Sequence, residues 1–162
     1  MILYGQMPDS DSFDVEEEIL KIRELFNEYG CLSLRSDFTK LEGDGECYID
    51  KDGSIKALVL KKGQGTSTKK DDYSRYYYFK DGDLFFAYLE GNDSHRLYFK
   101  DGLMFRWRYC PNAQDSGNYV DHDLEGTDEF YYWQDYSYRE IRDSIGERLQ
   151  MEKMPEDRQH AS

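Results

Sequence analysis

The chain has few of the residues, and none of the motifs, on which common catalytic and metal sites are built. Its three cysteines, Cys31, Cys47 and Cys110, contain no C-x-x-C pair, so they predict neither a closed disulfide framework nor a zinc site. No G-x-S-x-G, P-loop, G-x-G-x-x-G or H-E-x-x-H motif occurs, which leaves the common hydrolases and phosphate-cradling loops without support. We therefore assign no catalytic residue, no cofactor and no metal.

Long hydrophobic runs and an excess of positive charge are also missing. The apolar opening of the chain is only four residues long and carries no basic segment, and no later run reaches the length of a membrane span. This pattern predicts a cytoplasmic, soluble protein; the alternative is a fragment of an extracellular protein without its signal. The formal net charge of −13 argues against a nucleic acid or an anionic membrane as the partner.

The negative charge is concentrated in two segments. Residues 1–18 and 115–129 each contain six acidic residues and no Lys or Arg, and together they supply −12 of the −13. Residues 19–114 are almost balanced, with sixteen basic and fifteen acidic residues. Such acidic segments make a basic toxin, or another cationic protein, a candidate partner.

What the chain has in abundance is aromatic residues, at 16%, and a repeat that contains many of them. Residues 74–89, SRYYYFKDGDLFFAYL, recur at 94–109 as SHRLYFKDGLMFRWRY, and 47–60, CYIDKDGSIKALVL, is a degenerate first copy. Each copy is typical of a strand, an Asp-Gly turn and a second strand. The three hairpins predict a six-stranded antiparallel meander, with a mobile loop at 61–72 between the first two.

One amphipathic helix is predicted on either side of the hairpins. In the first, Asp14 is suited to cap the start and Gly30 to end it. Its apolar stripe consists of Val15, Ile19, Ile22, Phe26 and Tyr29. In the second, Ser137 and Glu140 form a capping box, and the helix is expected to end before Pro155. Its stripe consists of Tyr138, Ile141, Ile145 and Leu149.

These elements predict an α+β fold with an N-terminal helix, an antiparallel β-meander of Asp-Gly hairpins and a C-terminal helix. Residues 1–13 are expected to be a disordered acidic N-terminus, 14–150 a single α+β domain and 151–162 a polar tail.

Simple pairing across a two-residue turn predicts which side chains share a face of the sheet. In the second hairpin it groups Tyr77, Phe79, Leu84, Phe86 and Tyr88. In the third it groups His95, Leu97, Phe99, Met104, Arg106 and Arg108. Both faces are then aromatic, so both need cover. We expect the two helices on one face, and the aromatic segment 130–138, a curled sheet, a second subunit or a ligand on the other.

The hairpins resemble uncharacterised Firmicutes domains with the patterns R-x-Y-Y-F-x-D-G-x-L-x-F and R-x-Y-F-x-x-G-x-x-x-R-W. The matching residues are Arg75, Tyr77, Tyr78, Phe79, Asp81, Gly82, Leu84 and Phe86, then Arg96, Tyr98, Phe99, Gly102, Arg106 and Trp107. The repeated aromatic-K-D-G units are also similar to the hairpin repeats of MORN-type and bacterial antitoxin-like proteins. These resemblances imply a binding or immunity-type role and bring no catalytic residue.

Two groups of residues are candidate sites. The acids around His122, from Asp121 to Glu129, have no spacing typical of a metal loop, and we interpret them as a solvated acidic loop. The second group centres on the strand 105–109 and consists of Phe86, Tyr88, His95, Arg106, Trp107 and Arg108. Its two arginines, on one aromatic face, are suited to hold a ligand carboxylate or a partner's acidic loop; the alternative is that they pair with the protein's own acids.

The sequence therefore favours non-enzymatic recognition, of a protein partner or a second copy first and of a small anionic ligand second. An acidic immunity- or antitoxin-like protein is the sharpest form of this hypothesis. The competing hypothesis is an enzyme or carrier with a pocket between the sheet and residues 130–138.

Overall fold

The structure, a computed structural model, describes residues 13–30 and 38–146 and confirms the α+β fold. Helix α1 spans Val15–Tyr29 and helix α2 spans Asp128–Ile145, with an antiparallel sheet between them in the chain. The tail at 151–162, Cys31 and all but the last residue of segment 1–13 lie outside the described residues. Within the described part of the chain, neither helix is long and apolar enough to cross a membrane.

The sheet has eight strands rather than the six that the hairpins predict, and each strand pairs antiparallel with the next in the chain. The strands are β1 Thr39–Gly43, β2 Gly45–Ile49, β3 Ile55–Leu60, β4 Ser74–Lys80, β5 Asp83–Glu90, β6 Ser94–Lys100, β7 Leu103–Cys110 and β8 Val120–Asp123. The two additional strands, β1 and β8, lie at the edges of the sheet. Neither strand has a buried residue. Their sequences, TKLEG and VDHD, therefore lack the apolar alternation that marks a strand.

The first helix is confirmed, and the predicted start of the second is wrong. In α1 the side chain of Asp14 accepts a hydrogen bond from the Glu17 amide at 3.1 Å. Helix α2 begins nine residues before the predicted capping box, because Thr127 caps it by accepting from the Phe130 amide at 3.1 Å. Ser137 and Glu140 are interior to this helix, and the aromatic segment 130–138 is its first half.

The tight turns of the second and third hairpins have two residues with positive φ. The values are 53° and 85° for Asp81 and Gly82, and 52° and 82° for Asp101 and Gly102, as in a type I′ turn. The degenerate first copy differs: the amide of Asp50 donates to the Ser54 carbonyl at 2.9 Å, which leaves a three-residue turn ending at Gly53.

A β-bulge follows each turn and changes the predicted register. Phe79 pairs with Leu84, but Tyr78 pairs with Phe86, so that Phe85 is an extra residue in β5. In the third hairpin Phe105 is the extra residue in β7, because Tyr98 pairs with Arg106. One extra residue moves every later side chain of its strand to the opposite face.

The predicted faces are therefore wrong beyond the bulges, and the two helices cover opposite faces. Phe86 and Tyr88 lie with Tyr76 and Tyr78 on the face that α1 covers. Trp107 lies with Leu97 on the face that α2 covers. Between the sheet and α2 lies the larger core, which includes Tyr77, Phe79, Leu89, Leu97, Phe99, Met104, Phe130, Tyr131 and Ile141.

A buried ion pair holds α2 to the sheet. The side chains of Arg75 and Glu140 are 0% and 1% exposed, and Arg75 Nη2 lies 2.8 Å from Glu140 Oε2. The hydroxyl of Tyr77 donates to the same carboxylate at 2.6 Å. Burial and this negative charge keep the pKa of the Tyr77 hydroxyl well above its ordinary value, so it remains a donor.

The polar segment 61–72, predicted to be a mobile loop, is folded around the same guanidinium. Arg75 donates to the carbonyl oxygens of Lys61, Gln64 and Lys70. A side-chain bond of 2.6 Å from Ser67 to the Tyr136 hydroxyl joins the loop to α2. The loop is held through its backbone carbonyl oxygens. Because these are present in every residue, the hydrophobicity pattern of the loop does not predict that it is ordered.

Substitution of Arg75 by Met is expected to lower the free energy of unfolding by about 3–5 kcal/mol, because Glu140 would remain buried without its partner. Urea unfolding followed by circular dichroism measures this loss. Lys21→Met is the control, since it removes an exposed ion pair with Glu17 and is expected to change stability little. Equal effects of the two substitutions would contradict the structural role of the buried pair.

Candidate functional site

The bulges place aromatic, arginine and aspartate side chains in two parallel rows on the α1 face of the sheet. Cross-strand pairing aligns the outer row from β4 to β8, which is Tyr76, Tyr88, Arg96, Arg108 and Asp121. The inner row, two residues nearer the tight turns, is Tyr78, Phe86, Tyr98, Arg106 and Asp123. Each row thus runs from aromatic rings, through basic groups, to an acid at the edge.

Helix α1 lies over the inner row and leaves the outer row half-buried. Phe26 contacts Tyr78 and Phe86 edge-on, with ring centroids 5.0 and 5.6 Å apart. Between the helix and the outer row is a cleft of about 370 Å³. Its lining consists of Ile22, Arg23, Phe26, Asn27, Tyr78, Phe86, Tyr88, Arg96, Tyr98 and Arg108. We call this the aromatic-arginine cleft.

Both arginines that the sequence predicts to bind a partner, Arg106 and Arg108, are held by the protein's own acids. The guanidinium of Arg106 donates to both oxygens of Asp123, at 2.7 and 2.9 Å, and also to Glu16 of α1. Arg108 donates to both oxygens of Asp121, at 2.7 and 3.0 Å. These bonds raise the pKa of each guanidinium further above its ordinary value. The acidic segment around residue 121 is thus an edge strand neutralised by β7, and the interpretation as a solvated loop is wrong for these two aspartates.

The other two arginines of the cleft have no such partner. Among the described residues, no carboxylate lies within ion-pair distance of Arg23 or Arg96. Arg96 instead lies over the ring of Tyr88, 5.3 Å from its centroid, and directly opposite Arg108 on β7. A like-charged pair in this position is unfavourable for a sheet, and Asp121 compensates only Arg108. The cleft therefore carries about two positive charges in a chain of net charge −13.

The predicted site is divided between the two faces. Phe86, Tyr88 and Arg108 line the cleft, and Arg106 lies on the same face under the start of α1. His95 and Trp107 lie on the α2 face, where they pack with Trp133. The bulge at Phe105 is the reason, because it places Arg106 and Arg108 on the α1 face and Trp107, which lies between them, on the α2 face.

His95 is held as a neutral ring inside this second cluster. Trp107 Nε1 donates to His95 Nδ1 at 3.0 Å, which requires that Nδ1 carry no proton. On the other side Nε2 lies 3.2 Å from Asp93. Burial lowers the pKa of His95 from 6.5 to about 4, against the opposing effect of Asp93. Because Trp107 occupies the basic nitrogen, this histidine is a satisfied core residue and is not placed to act as a base.

The space between the sheet and residues 130–138 is filled by side chains. Phe130, Tyr131, Trp133, Tyr136 and Tyr138 are all buried there. In the part of the chain that the structure describes, no group of three potential metal ligands comes together. A concave feature large enough for a ligand lies on the opposite face, at the aromatic-arginine cleft.

Sequence reasoning did not identify Arg23, Phe26 or Asn27 as site residues, because they belong to a helix whose stripe predicts only a core contact. Arg96 and Tyr98 were visible only as members of the repeat pattern. The signal that could have found Arg96 is its cross-strand position opposite Arg108, and that position depends on the bulge.

No family model, curated protein or solved structure matches the chain. Its function therefore has to be argued from the geometry of the site.

Arg96→Gln is expected to change the free energy of unfolding by less than about 1 kcal/mol, because the loss of the contact with Tyr88 is offset by relief of repulsion from Arg108. Arg106→Gln is the matched variant on the same face, and it should cost about 1–3 kcal/mol, since it breaks charged hydrogen bonds to Asp123. Urea denaturation compares them. A larger loss at position 96 than at position 106 would mean that Arg96 is a structural residue.

The pH dependence of stability tests the state of His95. Its pKa in the folded protein, about 4, is below the value of 6.5 expected on unfolding, so its contribution is complete above about pH 6.5 and is lost as the pH falls toward 4. Over that interval the slope contributed is at most about 1.4 kcal/mol per pH unit. Urea titrations of wild type and His95→Gln at several pH values should show a shallower slope for the variant. Equal slopes would contradict a neutral, buried imidazole.

Proposed function

We propose that this protein is a non-enzymatic recognition module that binds an anionic group of a ligand or partner in the aromatic-arginine cleft. The observation that carries the proposal is the pair of arginines, Arg23 on α1 and Arg96 on β6, that converge on an aromatic cleft without a carboxylate partner among the described residues. Arg23 is exposed and Arg96 is half-buried, so both guanidiniums are accessible from solvent, whereas the buried Arg75 and Arg106 are paired with carboxylates of the chain itself. The cleft thus offers the charge that an anion requires.

The ionisable groups of the cleft support binding rather than proton transfer. Burial and the bond to Glu90 raise the pKa of Tyr88 to about 12, and burial raises the pKa of Tyr98. Together with the guanidiniums, these groups stay protonated near neutral pH, whereas a general acid or base works best when its pKa is close to the working pH. The Tyr88 hydroxyl already donates its proton to Glu90, so the guanidiniums of Arg23 and Arg96 are the groups suited to donate hydrogen bonds to a bound anion.

The binding group can be presented by a protein partner or by a free small molecule, and the cleft has the size of a small-ligand site. Binding of a basic toxin by the acidic segments has less support, because Asp121 and Asp123 are already engaged by Arg108 and Arg106. An immunity- or antitoxin-like role remains compatible with the proposal where the toxin inserts an acidic residue into the cleft.

The test is to observe the arginine side chains directly while anions are added. The Nε–H signals of Arg23 and Arg96 are assigned with single Arg→Gln variants. Acetate, benzoate, inorganic phosphate, sulfate and a triglutamate peptide are then titrated into ¹⁵N-labelled protein. We expect saturable shifts of both signals for at least one of these anions, and loss of its binding by at least about tenfold in the double variant Arg23→Gln, Arg96→Gln.

The matched control is Lys51→Gln, Lys62→Gln, which makes the same change in net charge at exposed positions away from the cleft. This control should bind as the wild type does. The proposal is wrong if none of the anions shifts the two arginine signals, or if the lysine variant loses binding as much as the arginine variant does.

A further inference from the structure

We infer that the anionic group is a carboxylate joined to an aromatic ring, rather than a phosphate. This inference rests on the proposed function of the cleft and concerns which chemistry the same residues select. Three features of the lining lead to it: the absence of free backbone donors, the end of the helix dipole that faces the cleft, and the shape of the aromatic walls.

Backbone amides, the usual cradle of a phosphate, are already used in this cleft. Its sheet residues lie on β4, β5, β6 and β7, each of which pairs with a strand on both sides. Its helix residues, from Ile22 to Asn27, lie within α1, beyond the first turn where amides are free. An anion in the cleft is therefore bound by side chains alone, chiefly by the forked donors of Arg23 and Arg96.

The direction of α1 disfavours a group with two negative charges. The cleft lies beside the second half of the helix, which ends at Tyr29, so the negative end of the helix dipole is the nearer one. The last turn contains no basic residue that would compensate it. The repulsion from this end of the helix is about twice as large for the nearly two charges of a phosphate monoester at neutral pH as for the single charge of a carboxylate.

A carboxylate already occupies the next position in the outer row. Asp121 binds Arg108 through both oxygens, in the planar two-point contact that a guanidinium makes with a carboxylate. Arg96, the neighbour of Arg108 on β6, presents the same fork without this partner. The internal pair thus shows the geometry that this row provides for a carboxylate.

The remaining walls fit a flat apolar body. Phe86 and Tyr98, with ring centroids 5.1 Å apart, lie at the floor and are less than 10% exposed. Phe26 stands on the helix side and is 36% exposed, although it is a large apolar residue. A ring placed against Phe26 and Phe86 would make the edge and offset contacts that aromatic groups prefer. It would also cover the apolar surface that the helix leaves open.

A set of matched small molecules tests the inference by isothermal titration calorimetry and by the Arg96 Nε–H signal. The probe is 3-phenylpropionate. It has three comparators: 3-phenylpropionamide removes the charge, hexanoate removes the ring, and 2-phenylethyl phosphate replaces the carboxylate by a phosphate on the same two-carbon linker. We expect 3-phenylpropionate to bind at least about tenfold more tightly than each comparator, and Arg96→Gln and Phe26→Ala each to weaken it at least about fivefold. Arg139→Gln, on the exposed side of α2, is expected to leave it unchanged.

The outcomes separate this inference from the proposed function. Tighter binding of 2-phenylethyl phosphate than of 3-phenylpropionate would overturn the choice of carboxylate while leaving the cleft an anion site. Equal binding of hexanoate would overturn the choice of an aromatic body. If none of these anions binds or shifts the Arg23 and Arg96 signals, both this inference and the proposed function are overturned.

Discussion

The register of β4, β5, β6 and β7 depends on one device, which occurs in the second and third hairpins. Each of these hairpins has a tight turn of two residues with positive φ, followed by one extra residue in the next strand. The turn residues Asp81 and Asp101 accept a left-handed conformation, and Phe85 and Phe105 then interrupt the alternation of their strands. The placement of the cleft residues on the sheet follows from this repeated device. It brings Arg96, Arg106 and Arg108 to the α1 face, and it sends Trp107 to the core under α2, where its indole satisfies His95.

The two faces of the sheet use arginine in different ways. On the α2 face, Arg75 is fully enclosed, bound to Glu140 and to loop carbonyls, so that charge serves to order a polar loop against the core. On the α1 face, Arg106 and Arg108 are held by an acidic edge strand, while Arg23 and Arg96 remain without a carboxylate among the described residues. This difference in pairing between Arg23 and Arg96 and the other three arginines distinguishes the cleft from the structural ion pairs.

Much of the fold could be predicted because it depends on local signals. The stripe of α1, its Asp14 cap and the three Asp-Gly turns are all legible in sequence. The bulges could not be, since an Asp-Gly turn is compatible with pairing with or without an extra residue. Strand β8 could not be predicted because its aspartates are stabilised by arginines on another strand. The start of α2 was predicted too late in the chain, because Thr127 caps an aromatic run that was not recognised as helical. The site was half predicted for the same reason: Phe86 and Tyr88 were identified, Phe26 and Tyr98 were not, and both arginines chosen are paired with acids of the chain itself.

A crystal structure of the protein grown with 3-phenylpropionate would test the central claim most directly, that the register of the strands places an anion-binding site between α1 and the outer row. The account predicts density for a carboxylate between the guanidiniums of Arg23 and Arg96, with the ring against Phe26 and Phe86. It is contradicted if Arg96 lies on the same face as His95, or if a carboxylate of the chain itself occupies that position.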